Sequence, residues 1–259
     1  MTTHPRRGGL HMSSLVPLDG PTVLIDLAGV RLLVDPTFDA AQDYPIGSRT
    51  LRKTSDATWG PDQVGAVDAV LLSHDQHPDN LDHGGRAFLA GVPLTLTTEV
   101  AAERLGGTAR ALPPWTTHQV GAVTVTGVPA QHGPDGTEHL TGPVTGFVLT
   151  ADRGPSIYVS GDNASLDVVT EVARRFPGLD VAVLFAGAAR TPLVDGYLTL
   201  TSEEAARAAE LLGRPRVLGM HTDGWAHFTQ DGGTFRDAFA AAGLADLLLP
   251  VDPGARVEL

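Results

Sequence analysis

The sequence predicts an α+β protein built as a four-layer αββα sandwich, and three observations predict it. Short apolar strand segments recur along the whole of the 259-residue chain. Helix-length segments fall between them in both halves, and helices that alternate with strands pack outside the sheets. Each half opens with a hairpin whose turn is too short for a parallel crossover. That last feature disfavours the rival architecture, a single doubly wound sheet.

In the first half, 22–27 (TVLIDL) and 30–35 (VRLLVD) flank Ala28 and Gly29, which reads as a tight hairpin. A Pro/Gly-rich loop fills 36–65. The buried strand 66–73 (AVDAVLLS) leads to a short helix over about 81–89, then to strand 93–98 (PLTLTT). A helix over about 99–105, the segment ARAL and the long alternating strand 122–130 (AVTVTGVPA) follow. In the second half, 146–151 (GFVLTA) pairs with 156–161 (SIYVSG) across Asp152, Arg153 and Gly154. A helix over about 166–176 precedes the fully apolar strand 181–186 (VAVLFA). Thr201 and Glu204 have capping-box spacing, so a helix starts there and runs to Leu212. Strand 216–220 (RVLGM), a helix over about 232–242 and LADLLLPV close the chain. Residues 1–18 have no apolar core of a secretory signal. They read as a partly disordered arm ahead of one domain over 19–259.

Composition narrows the function. At 42% hydrophobic residues the chain reads as a soluble globular protein. No apolar run approaches the roughly 18–20 residues that span a bilayer. The chain has no cysteine, which excludes disulfides, thiolate metal sites and cysteine nucleophiles, and fits a cytoplasmic location. A net charge of −12 argues against nucleic acid, whose binding needs clustered Lys and Arg. A small-molecule substrate is the expected partner; oligomeric state is not readable. No Gly-x-Ser-x-Gly elbow, P-loop or dinucleotide fingerprint occurs.

The chemistry gathers at four strand ends. His74 follows LLS, His132 follows VPAQ, Asp162 follows YVSG and His221 follows LGM. Ligand sites in α/β architectures collect at the carboxyl ends of strands. One such histidine is ordinarily structural; four strand ends sharing the habit point to a site. The stretch VLLSHDQHPDNLDH (70–83) adds His77 and Asp79. Bringing Asp79 and Asp162 together without a cation would bury like charges, raising a pKa or costing stability. Imidazoles with carboxylates suit Zn, Fe, Mn or Ni.

The segments LIDLAGVRLLVDPTF, LLSHDQHPDNLDHGGR, PAQHGP, VTGFVLT, YVSGDN and MHTDGWAHF occur in this order. Together they resemble the metallo-β-lactamase-fold hydrolase superfamily, particularly a bacterial branch similar to ascorbate-lactonase-like proteins, over about 22–259. The resemblance implies an αββα sandwich of that type with two half-sites between the sheets, filled by one or two divalent ions. Zinc is the expected ion, with Mn or Fe as alternatives. The family's His-x-His-x-Asp-His carries over unevenly. His74 matches its first His, His132 the lone later His, Asp162 the bridging Asp and His221 the last His. Between them, Gln76 stands where one alignment puts a second His, and Asn80 where the other puts the final one. A branch version with Asn in the last place makes Asn80 ordinary and Gln76 the departure. Glutamine is a poor replacement for imidazole at zinc.

Three outcomes stay open. His77 serves as second ligand, completing one site of His74, His77, His132 and Asp162. Asp79 and His221 then hold a second, weaker ion. Alternatively the cluster binds metal poorly. The resemblance implies a hydrolase in which a metal-activated water attacks a small ester, lactone, amide or phosphoester, with Asp79 orienting the nucleophile or accepting its proton. His227 either faces substrate as a catalytic group or packs beside Trp225. The rival reading is a modified scaffold with a non-hydrolytic or ligand-binding role in specialised metabolism, its metal site weakened by Gln76. Asp82 and His83 begin the helix after the motif, His139 lies in the loop before VTGFVLT and either lines the cleft or is exposed, and Trp115 reads as a packing anchor.

Overall fold

The computed structural model describes residues 13–47 and 49–259. Three strands come first, β1 (Ser14–Pro17), β2 (Val23–Leu27) and β3 (Val30–Val34), then a ribbon of β4 (Asp43–Ile46) and β5 (Arg49–Arg52). Next are α1 (Pro61–Val64), β6 (Ala69–Leu71), α2 (His83–Leu89), β7 (Thr95–Thr97), α3 (Glu99–Leu105) and β8 (Ala109–Ala111). The second half runs β9 (Thr117–Val120), β10 (Val123–Ala130), α4 (Glu138–Thr141), β11 (Val144–Ala151), β12 (Ile157–Val159), α5 (Leu166–Arg175) and β13 (Val181–Phe185). It ends with α6 (Ser202–Leu211), β14 (Arg216–Met220), α7 (Gly232–Ala241) and β15 (Val257–Glu258).

The strands form two sheets, in the orders β15-β1-β2-β3-β6-β7-β8 and β14-β13-β12-β11-β10-β9. Short turns join β1 to β2 to β3, β9 to β10 and β11 to β12, while the segment carrying α4 joins β10 to β11, and all these pairs are antiparallel. Segments carrying helices join β6, β7 and β8, and likewise β12, β13 and β14, and those pairs are parallel. The Ala28–Gly29 turn has positive φ at both positions, the geometry that matches strand twist in a two-residue hairpin.

Period-two alternation sorts each strand's side chains into two buried faces. Ile25, Leu32, Val34 and Leu71 face Phe147, Val159, Val183 and Phe185 across the space between the sheets. The alternate residues Leu24, Leu33 and Val70 pack outward with Val64, Leu81 and Leu89. On the other side Tyr158, Ala182 and Leu184 pack outward with Val169, Ala205 and Phe239 from α5–α7. Because helices cover both outer faces, the interior strands are apolar on both sides, as covered sheets require. The architecture is αββα, with the metallo-β-lactamase layer order.

Three details depart from the sequence reading. Of the arm assigned to 1–18, residues 1–12 lie outside the described residues, but Ser14–Pro17 is a strand hydrogen-bonded between β2 and β15. The arm boundary therefore moves: Leu15 is fully buried in the inner core, and pairing with the chain's last strand supplies the second edge. The loop 36–65 contains the β4–β5 ribbon, invisible in sequence because its residues are mostly exposed and lack apolar alternation. β9 was missed for the same reason. The Thr201–Glu204 capping box is formed as the spacing predicts.

Phe147 sits at 0% exposure between the sheets. Phe147→Ala should cost roughly 3–5 kcal/mol by cavity formation, whereas Thr201→Ala, losing one cap, should cost about 1 kcal/mol; urea unfolding of the two variants measures the contrast.

Candidate metal centre

β6 stops at Leu71 and delivers Ser73 and His74 to the edge of the inter-sheet space. The same rule brings up His132 after β10, Asp162 after β12 and His221 after β14. Gly161 makes one of these approaches possible: its φ is +56°, and a Cβ there would lie 2.6 Å from the Thr145 carbonyl oxygen. His221 itself adopts φ +59° and Asp35 φ +37°, backbone conformations that side chains larger than glycine rarely take. Both strained residues belong to the centre, where such strain tends to be kept.

His74, His77 and His132 form one group of potential ligands, and Asp79, Asp162 and His221 a second. In the first, His74 Nε2 lies 3.0 Å and His132 Nε2 3.3 Å from His77 Nδ1. Neighbours settle two tautomers. The Ser73 hydroxyl donates to Asp35 Oδ2 at 2.7 Å, so His74 Nδ1–H donates to Ser73 Oγ at 2.8 Å. His132 Nδ1–H donates to the Leu198 carbonyl at 2.9 Å. Both Nε2 atoms thus present lone pairs to His77 Nδ1, which can offer one proton at most. Three ring nitrogens converge with too few protons to bind one another, and a cation satisfies all three. Burial holds His74 well below the ordinary imidazole range, brings His132 down to about 3 and lowers His77 as well. The neutral forms that ligate metals are therefore the stable ones.

In the second group, His221 lies between two carboxylates, Nε2 at 3.4 Å from Asp79 Oδ2 and Nδ1 at 3.2 Å from Asp162 Oδ1. Asp79 Oδ2 is also 3.1 Å from His227 Nε2. Burial drives both acids upward, but His227 and His221 outweigh it at Asp79 and hold that carboxyl well below its usual range. Asp162 is pushed well above its range by burial and by the negative charges of Asp79 and Asp35. Among the described residues, Asp162 Oδ2 and both His221 nitrogens are buried with no hydrogen-bond partner. An ion would give these orphaned atoms a common partner, and the donor set of imidazole and carboxylate fits a divalent transition metal. Asp162 Oδ2 also lies 3.9 Å from His74 Nε2, so Asp162 stands between the two groups.

All six residues expected as ligands are thus brought together, His77 included. Gln76 is not among them. Its Nε2 donates to the carbonyls of Thr141 and Pro143 at 3.3 and 3.2 Å, and its Oε1 accepts from Arg104. Asn80 Nδ2 donates to Asp35 Oδ2 and Asp162 Oδ1 at 3.1 and 3.2 Å, bracing the second group. Asp82 caps α2 through Gly85 N and pairs with Lys53 Nζ at 3.2 Å, both side chains buried. His83 is exposed in the first turn of α2, and Trp115 packs under the Arg175 guanidinium at 4.0 Å. His77, Asp79, His132, His139 and His227 line a cavity of about 650 Å³. His227 thus faces the cavity as well as Asp79.

Sequence reading missed Asp35. It is completely buried, accepts Ser73 N–H at 2.6 Å and the Ser73 hydroxyl, and binds the Asn80 amide. Burial pushes its carboxyl up to about 7 against these donors. It stands just past β3, so the strand-end rule that found the other four residues also selects it. Lys53 was missed too, and nothing in the sequence pattern marks it.

An αββα sandwich with imidazoles and carboxylates gathered at its strand ends defines a metallo-β-lactamase-type protein. Residues 30–222 match the Beta-lactamase superfamily domain. The chain is 32% identical over 267 residues to a metal-dependent hydrolase of Deinococcus radiodurans, covering 96% of this chain and all of that one. It therefore belongs to the β-lactamase superfamily, within a family of metal-dependent hydrolases. Its fold is shared with a possible metal-dependent hydrolase from Veillonella parvula (TM-score 0.84, 17% identity, 96% of this chain and 100% of that one). It is also shared with an isothiocyanate hydrolase from Delia radicum gut bacteria (TM-score 0.82, 23% identity, 94% and 98%).

Asp35→Ala would leave the Ser73 and Asn80 donors unpaired in a dry site. It should destabilise the protein by roughly 2–4 kcal/mol, read as a lower urea midpoint, while Asp35→Asn recovers part of the loss.

Proposed function

We propose that the protein hydrolyses a small-molecule ester, lactone, amide or phosphoester at this centre, in the cytoplasm, with zinc as the favoured ion. The observation that carries the reading is the set of three converging ring nitrogens, two of them with tautomers set so that lone pairs face inward. His74, His77 and His132 would hold one ion, and Asp79, Asp162 and His221 a second. A divalent cation there supplies a lowered pKa for bound water and polarises the bond under attack.

The chain's own residues do the rest. Ser73 and the Leu198 carbonyl keep His74 and His132 in the ligating tautomer, as partners of metal-bound imidazoles generally do. Asp79, kept ionised by His227 and His221, opens on the cavity, where its carboxylate can hold the second ion or orient the nucleophile. His227 stands 3.1 Å from it, with Nδ1 unpartnered among the described residues, and is placed to accept a proton or contact substrate.

Protein purified without added metal should contain one to two equivalents of a transition metal by elemental analysis, and His132→Ala should lose at least one of them. Failure to take up Zn, Mn or Fe on reconstitution would sink the reading. The Gln76 side chain points to the 141–143 loop, so Gln76→His should leave metal stoichiometry unchanged; an added equivalent would instead restore the idea of a site weakened by glutamine.

A further inference from the structure

The cavity that exposes His77, Asp79 and His132 is lined by three arginines, Arg49, Arg104 and Arg190, and among the described residues by one carboxylate, Asp79, in a chain whose net charge is −12. Asp79 is already engaged by His221 and His227. The three guanidiniums differ in how far they are committed. Arg104 grips both oxygens of Asp75 and also donates to Gln76 Oε1 at 3.1 Å, so it is structural. Arg190 lies over the Tyr197 ring at 5.2 Å, and among the described residues its one ion-pair partner is the fully exposed Asp195 at 3.6 Å. A pair that open to water holds the guanidinium weakly. Arg49 donates to the neutral Thr191 hydroxyl at 2.8 Å, and no carboxylate among the described residues is in ion-pair contact with it.

These two groups come from distant parts of the chain. Arg49 is the first residue of β5, and Arg190 follows β13. The Arg49–Thr191 bond fastens the first to the residue beside the second, so both stand on one side of the cavity. Ile46, Leu51, Leu140 and Leu193 supply apolar lining. Guanidinium presents paired N–H groups that match carboxylate or phosphate oxygens, and local positive charge is needed to draw an anion to an acidic protein.

We propose that the substrate carries an anionic head, carboxylate or phosphate, joined by a short apolar stretch to the bond that is cleaved, and that Arg49 and Arg190 hold this head. The assignment rests on the reading of the clustered imidazoles as the reactive centre, and it sets specificity at residues outside that cluster.

Calorimetric titration tests it with glutarate, its neutral analogue glutaramide, and propylphosphonate, which carries a phosphonate and no carboxylate, on full-length protein both metal-free and zinc-loaded. Metal-free wild type should bind one or both anions at least about tenfold more tightly than glutaramide; which anion binds better identifies the head group. The Arg49→Ala/Arg190→Ala variant should lose that preference while zinc uptake stays at the wild-type level. On zinc-loaded protein the same variant should bind glutarate about tenfold more weakly, with acetohydroxamate, a small metal chelator, unaffected. Equal binding of anions and glutaramide by metal-free wild type, no binding of either, or an undiminished preference in the variant overturns the proposal. Zinc uptake is measured separately, so loss of the metal reading and loss of the anion site are told apart.

Discussion

Asp35 accepts hydrogen bonds from the backbone and hydroxyl of Ser73 and from the amide of Asn80, all in a place without solvent. The arrangement of both groups of candidate ligands follows from it. Because Ser73 spends its hydroxyl proton on Asp35, it must accept from His74, and His74 then turns a lone pair inward. Because Asn80 donates to Asp35, its other contact at Nδ2 reaches Asp162 and holds that carboxylate between the groups. One buried acid thereby sets the tautomer of a histidine in the first group and the position of an acid in the second. Gly85 packs so closely that a Cβ there would stand 1.9 Å from the Pro36 carbonyl oxygen, which keeps the start of α2 against the loop that carries Asp35.

The arrangement costs energy in the absence of a cation. Three acids, Asp35, Asp79 and Asp162, share a buried space with the imidazoles of His74, His77, His132 and His221, and burial opposes charge on every one of them. Such a cluster persists only because the surrounding fold is overdetermined, with two sheets and two helical layers fully packed around it. The Lys53–Asp82 pair contributes here. It joins the chain just after the β4–β5 ribbon to the N-terminus of α2, and Lys53 also bridges to Trp225 in the loop that carries His227. Breaking a buried pair of this kind leaves an uncompensated charge, so the pair ties the ribbon, the motif loop and the His227 loop to one another beside the cavity.

The layer order was legible because both faces of most strands are apolar, a pattern that requires cover on both sides. The six clustered residues were legible because each follows a strand or sits in the one dense His/Asp stretch. Asp35 obeyed the same rule and was passed over, since a lone aspartate before proline also reads as an ordinary turn. Gln76 was misleading for a different reason. Residue type showed that it makes a poor ligand, but not that its amide is committed to the 141–143 carbonyls. The β4–β5 ribbon and Arg49 had no periodic signal at all. Their place at the cavity depends on contacts with residues some 140 positions away, Arg49 with Thr191 among them.

By itself the sequence determined the strand and helix alternation, the absence of thiolate chemistry and the set of side chains able to bind a metal, because all of these depend on local pattern and residue type. Tertiary structure alone decided which candidate ligands share a group, that His77 and not Gln76 joins His74 and His132, and that the cavity above them is lined by arginines in an acidic protein. Those outcomes are fixed by hydrogen bonds and packing between segments far apart in the chain, where the geometry of the partner, not the identity of the residue, settles what each side chain does.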